Sequence, residues 1–303
     1  EQRGRHEPQR PIALSCKADT PGGEDAIFAP TLPLEALRSI IYMAATDMPG
    51  PPLHVRDPES NRRTQLSAMN ISRAYFNVST GGTDPTFVML PPEHPGCHQE
   101  MCGVLKKHMY GTRAAADGWQ QEYSGFLRSI GFEQGEASPC VFVHTARNLA
   151  TSVHGDDFTT VGPKAELDWL EMKLEGTYEL RKGERLGPGK DDAKEIFVLN
   201  RAIRWTETGL EYEADPRQAE RLLEGLGLDG KCNATATPGL RALVEQLVDD
   251  KALPSNEITG FRGQAARANY LAADRIDLQF AAKEVCRYMS EPTVTSVACL
   301  QRL

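Results

Sequence analysis

Residues 150–161, Ala-Thr-Ser-Val-His-Gly-Asp-Asp-Phe-Thr-Thr-Val, constrain the fold more than any other stretch of the chain. Apolar and β-branched residues flank Asp156 and Asp157 on both sides. The run therefore reads as two short strands joined at an acidic tip. Neighbouring strands joined by so short a turn are antiparallel. Two adjacent carboxylates at an exposed tip repel unless something cationic stands between them. A hard divalent cation such as Mg2+, which takes oxygen ligands, is the usual remedy. A solvated acidic turn is the alternative, because Asp is a common turn residue.

The rest of the chain alternates helical and strand patterns. Leu34 to Ala45 is a helix, with Leu34, Leu37, Ile41 and Ala44 on one side and Pro33 at its start. Gln65 to Val78 begins as a strand and then turns. Phe87 to Leu90 is a short strand stopped by Pro91 and Pro92. Ala114 to Ile130 is helical, with Trp119, Tyr123, Phe126, Leu127 and Ile130 forming a stripe. Cys140 to His144 and Leu149 to Val153 are strands. Pro163 to Leu174 is an amphipathic helix with Leu167, Leu170 and Leu174 as its apolar face. Gly183 to Asp192 reads as a glycine- and charge-rich loop, lacking the Lys-Ser/Thr of a phosphate-binding loop. Ile196 to Trp205 and Leu210 to Glu213 read as a strand pair. Asp215-Pro216 opens a helix as N-cap and first-turn proline, a linker runs from Asp229 to Pro238, and Phe261 to Met289 is helical. Hairpins without βαβ regularity indicate an α+β fold with an antiparallel sheet.

Composition narrows the function classes. The chain has 303 residues, 40% hydrophobic and 25% charged, as expected of a globular protein. No apolar run is long enough to span a membrane, and the polar N-terminus is not a signal peptide. Seven scattered cysteines point to a reducing, intracellular setting, with cytoplasm and nucleus both open. Cys97, His98 and Cys102, with His94 and His108 nearby, lack a repeated C-x-x-C spacing, so no zinc is expected. The net charge of −8 argues mildly against nucleic-acid binding. Three basic groups (Arg3, Arg5, Arg10; Arg56, Arg62, Arg63; Lys106, Lys107, Arg113) could still form a cationic lining on an acidic body. The chain starts without Met and ends in helix-like sequence, which suggests a piece of a longer polyprotein.

The order of motifs resembles the reverse transcriptase of copia-type LTR retrotransposons, over about residues 25–303. Ile27 to Arg38 (IFAPTLPLEALR) resembles the segment that opens the family's domain. Asn70-Ile-Ser-Arg-Ala-Tyr-Phe-Asn77 resembles the first catalytic motif, DVKTAFLNG. Phe87-Val-Met-Leu-Pro-Pro resembles VYMEQPPGF. Met101 to Trp119 resembles VCKLKKSLYGLKQAPRAW, and Ser138-Pro-Cys-Val-Phe142 resembles SDPCLF. His154-Gly-Asp-Asp157 stands where the family has YVDD. Thr235 to Pro238 and Phe261 to Ala281 resemble its C-terminal motifs.

The resemblance implies a right-hand polymerase fold whose palm is an antiparallel sheet backed by helices. It places partial fingers and an irregular segment at 1–64, the palm at 65–182 and a thumb or connection at 183–303, without an RNase H domain. It implies RNA-directed DNA synthesis by two-metal nucleotidyl transfer, with two Mg2+ ions (Mn2+ as substitute), dNTPs and an RNA or DNA primer–template. Asp156, Asp157 and residue 70 would be the metal-binding and catalytic positions, with Asp156 in direct contact and Asp157 supporting. Tyr75 would be the aromatic gate beneath the incoming sugar, and Ile71 and Arg113 would lie against the nucleotide. Residue 70 is Asn, where the family has Asp. An amide is neutral and offers a metal one oxygen, so turnover is expected to be severely impaired. The alternative is a catalytically dead copy that retains at most affinity for nucleic acid.

Overall fold

The computed structural model describes residues 13–14, 31–46, 64–81, 85–99, 101–112, 114–228, 237–239 and 250–303. The chain divides into two compact units, Glu1–Ala193 and Lys194–Leu303.

In the first unit, six antiparallel strands form one sheet. They are β2 (Thr64–Ile71), β5 (Glu133–Gln134), β6 (Val141–His144), β7 (Leu149–His154), β8 (Asp157–Pro163) and β9 (Leu180–Leu186). Their order is β5-β6-β7-β8-β2-β9. A separate three-stranded sheet joins β1 (Ala13–Leu14), β3 (Phe87–Met89) and β4 (Cys102–Val104) in the order β1-β3-β4.

Strand alternation gives the large sheet two apolar faces. Met69, Ile71, Val153 and Phe158 share one of them. They pack with Trp119, Tyr123 and Leu127 of α2 (Ala115–Ser129) and with Leu167, Leu170 and Leu174 of α3 (Lys164–Glu175). Leu66, Ala150 and Val161 lie at the alternate positions and are equally buried. Helix α1 (Leu34–Ala45), which buries Leu37, Ile40, Ile41 and Ala44, packs against β2, β7 and β8. The three-layer arrangement explains why β7 and β8 are apolar or β-branched almost throughout.

Three segments depart from the sequence expectation. Residues 183–186 lie in β9 rather than in a loop. The β2–β9 register slips between Ser67 and Met69, so Gly183 sits at a bulge. A Cβ there would lie 2.7 Å from the carbonyl oxygen of Ala68, which is why the strand carries a glycine where it looks least strand-like. In the second unit, Ile196 to Trp205 is not one strand. It is β10 (Glu195–Val198) and β11 (Arg201–Thr206), which form a sheet with β12 (Gly209–Glu213). Leu199 and Asn200 turn between them, both at positive φ (47° and 67°). The third departure is the C-terminal helical region, which breaks into α5 (Ser255–Ala272) and α6 (Gln279–Cys286).

The rest of the second unit is helical. Asp215 caps α4 (Pro216–Gly225), accepting a hydrogen bond from the Arg217 amide at 3.1 Å. Thr293 and Ser296 form a reciprocal capping box at the start of α7 (Val294–Gln301). Leu222, Phe261, Ala265, Ala268, Val285 and Leu300 form the core between these helices. At the α5–α6 break, Asp274 accepts from Arg201 at 2.9 Å and from Tyr212 at 2.7 Å. The segment 229–236, most of the expected linker, lies outside the described residues.

Candidate active site at the acidic hairpin

The hairpin expected from the sequence forms, and Gly155 and Asp156 are its turn. Gly155 has φ +63°, and beyond its two chain neighbours no residue comes within 4 Å of where a Cβ would stand. A glycine at positive φ in the first turn position is the pattern of a type II′ hairpin turn. Asp157 is the first residue of β8 and pairs with His154 across the hairpin.

Beta pairing carries residue 70 to the same place. Asn70 is the register partner of Asp157 in the β2–β8 ladder. Its Nδ2 donates to Asp157 Oδ1 at 2.8 Å, joining side chains 87 residues apart in sequence. The next residue meets Asp156 through the backbone, with the Ile71 amide donating to the Asp156 carbonyl at 2.9 Å. The Ile71 side chain points the other way and is fully buried in the core. Asn70, Asp156 and Asp157 thus gather at one end of the sheet, and Asp157 rather than Asp156 meets the side chain of residue 70.

Two aromatic residues complete this end. After β2 the chain passes through Arg73 in left-handed conformation (φ 55°) and into a 3-10 turn, Ala74–Asn77. That turn presents Tyr75 and Phe76. The Tyr75 ring meets Tyr110 edge to face at 4.3 Å, and Phe76 meets Tyr110 at 6.0 Å. The Tyr110 hydroxyl donates to Asp156 Oδ2 at 3.5 Å, a long contact. Burial, and then the negative charge of Asp156, push the phenols of Tyr75 and Tyr110 above their ordinary value. Both therefore stay neutral donors near pH 7. Tyr110 and Phe76 were not singled out from sequence. Tyr110 lies in the loop before α2, 46 residues from Asp156, and no local pattern announces that meeting.

Trp119 anchors the tip from beneath. Its side chain is 1% exposed, and its Nε1–H donates to the Gly155 carbonyl at 2.8 Å. It belongs to the core, packed edge to face on Tyr123 and Tyr178. His108 is buried against Gly118 of the same helix, and Lys106 and Lys107 are exposed nearby in sequence. Arg113, Arg56, Arg62, Arg63, Arg3, Arg5 and Arg10 lie outside the described residues.

The donor set can be compared with the two Mg2+ ions that the resemblance implies. Among the described residues, no group of three or more His, Cys, Asp or Glu side chains is placed to hold a metal ion. Asn70 turns an N–H, which cannot ligate a cation, onto an oxygen of Asp157. Two dications about 3.5–4 Å apart need bridging anionic oxygens, and among the described residues only two carboxylates stand here. These residues do not fit a two-ion centre.

Among the described residues no helix is long and apolar enough to cross a membrane. No model of a known protein family matches the chain, and no curated protein matches it.

Proposed function

We propose that the chain is the reverse-transcriptase domain of a copia-type retrotransposon whose nucleotidyl transfer is severely impaired at residue 70. In this reading its surviving capacity is to bind a primer–template. The single observation that carries the proposal is the juxtaposition of Asn70 with the Asp156–Asp157 hairpin on adjacent strands. A right-hand polymerase palm requires its first acidic motif and its acidic hairpin to meet in this way, and two distant motifs of an unrelated fold have no reason to. The antiparallel sheet with α2 and α3 on one face supports the same reading. Asn70 supplies the reason for impairment, because it replaces a charge with an amide that is already engaged.

By comparison with deletion of one electrostatic group elsewhere, the lost carboxylate costs roughly 3–4 kcal/mol in barrier, or 10²–10³-fold in rate. The test is primer extension on a poly(A)–oligo(dT) template with Mg2+ or Mn2+. We expect incorporation near background for the native chain, a gain in Asn70→Asp, and loss of that gain when Asp156→Ala is added. Primer–template affinity that weakens steeply with salt is expected in all three. A chain with neither affinity for primer–template nor extension in Asn70→Asp would refute the proposal.

A further inference from the structure

We infer that the acidic tip is closed by the chain's own neutral donors, so that it keeps its shape without a divalent cation. The inference relies on the polymerase reading only for the choice of cation, Mg2+ or Mn2+. The closure itself is geometric.

Each of the two adjacent carboxylates has a donor from another part of the fold. Asn70 Nδ2 donates to Asp157 at 2.8 Å from the neighbouring strand. The Tyr110 hydroxyl reaches Asp156 at 3.5 Å from the loop before α2. The backbone is fixed independently, by the Ile71 amide on the Asp156 carbonyl at 2.9 Å and by Trp119 on the Gly155 carbonyl at 2.8 Å. Each carboxylate thus faces a hydrogen-bond donor of the chain itself, and these bonds tie the tip to β2 and to the loop before α2.

An Asp at position 70 would reverse this. It would bring a third carboxylate to the register position facing Asp157, with no proton to donate. Three close carboxylates repel, and a cation would then be needed to hold the tip. Residue 70 thus decides whether this end of the sheet needs a metal.

The experiment compares the native chain with Asn70→Asp by thermal unfolding in chelator and in millimolar Mg2+ or Mn2+, and by Mn2+ titration followed by electron paramagnetic resonance. The native chain is expected to unfold at the same temperature in all three solutions and to leave the free Mn2+ signal undiminished. Asn70→Asp is expected to melt lower in chelator, to recover with Mn2+ by mass action, and to remove about one equivalent of the free signal if one ion suffices to bridge the three acids. Asn70→Ala adds no charge but strips Asp157 of its donor. It keeps the test decisive if Asn70→Asp does not fold, and it is expected to respond to Mn2+ where the native chain does not. Mn2+ binding by the native chain that Asp157→Ala abolishes would overturn the inference. Indifference to Mn2+ in both residue-70 variants would overturn it equally. Neither readout involves DNA synthesis, so failure here and failure of the polymerase reading are distinguishable.

Discussion

Replacing Trp119 by Phe should cost the first unit more stability than the same change at Trp169, which packs against the same core. Trp119 is 1% exposed and makes two contributions that Phe cannot reproduce. The first is volume. Phe lacks about three of the indole's heavy atoms, worth roughly 2 kcal/mol at ~0.8 kcal/mol per buried carbon. The second is the hydrogen bond to Gly155. Gly155 lies on the surface, so water can take over its carbonyl, and the loss stays near the usual net value of about 1 kcal/mol. The expected cost is about 3 kcal/mol, or a fall in Tm of roughly 6–12 °C for a unit of this size. Urea unfolding followed by far-ultraviolet circular dichroism measures it. Trp169→Phe is the control. That ring is only half-buried, and its contact with the Arg147 guanidinium, 3.9 Å from the ring centroid, is worth about 0.5–1 kcal/mol. Amide exchange at Gly155 and Asp156 should also accelerate in Trp119→Phe and not in the control. If Trp119→Phe costs less than about 1 kcal/mol, or no more than Trp169→Phe, the idea that α2 anchors the hairpin through this indole is refuted.

Gly118→Ala would place a Cβ 2.6 Å from His108 Nε2; because that ring is buried, a loss of about 1–3 kcal/mol is expected in the same unfolding assay. In the second unit, Arg201→Met strips the buried Asp274 carboxylate of its cation, and a loss of about 3–5 kcal/mol should appear as early melting of residues 194–303 in hydrogen exchange. Burial, aided by Cys140 for Tyr123 and by Glu122 for Tyr178, pushes both phenols far above their unfolded value near 10. A raised folded pKa means that the contribution is complete below pH 10 and is lost as pH rises above it. Stability should therefore fall by up to about 1.4 kcal/mol per pH unit for each phenol, with a shallower fall in Tyr123→Phe when ΔG is measured from pH 9 to 12.

What was legible in the sequence was whatever local pattern decides. The spacing of Leu37, Ile41 and Ala44 specified α1, and the bounds expected for it, Leu34 to Ala45, are those observed. The acidic hairpin was legible because apolar and β-branched flanks around an acidic pair are local signals. Two of the three misses share a cause at long range. Strand β9 looked like a loop because Gly183 and its charged neighbours serve a bulge against β2 that only the partner strand explains. The β10–β11 turn was hidden because Leu199 adopts a positive φ that Leu rarely takes. The α5–α6 break lies where Asp274 meets Arg201 and Tyr212, which are 73 and 62 residues away in sequence. At the site, resemblance brought Asn70 and the hairpin together, but the bond from Asn70 to Asp157 and the approach of Tyr110 to Asp156 depend on strand register and on a distant loop, which no local pattern encodes.

The two ends of the six-stranded sheet have a consequence for how the protein behaves among its own copies. Strand β5 has only two residues, too few to template another strand. At the opposite edge, β9 is kinked by its bulge, and it carries Lys182 and Arg185 in ion pairs with Glu175 and Glu171 of α3. An incoming strand would meet a broken ladder and a row of charges. Among the described residues the large sheet stops at six strands, and crowding should not recruit these two edges into edge-to-edge fibrils.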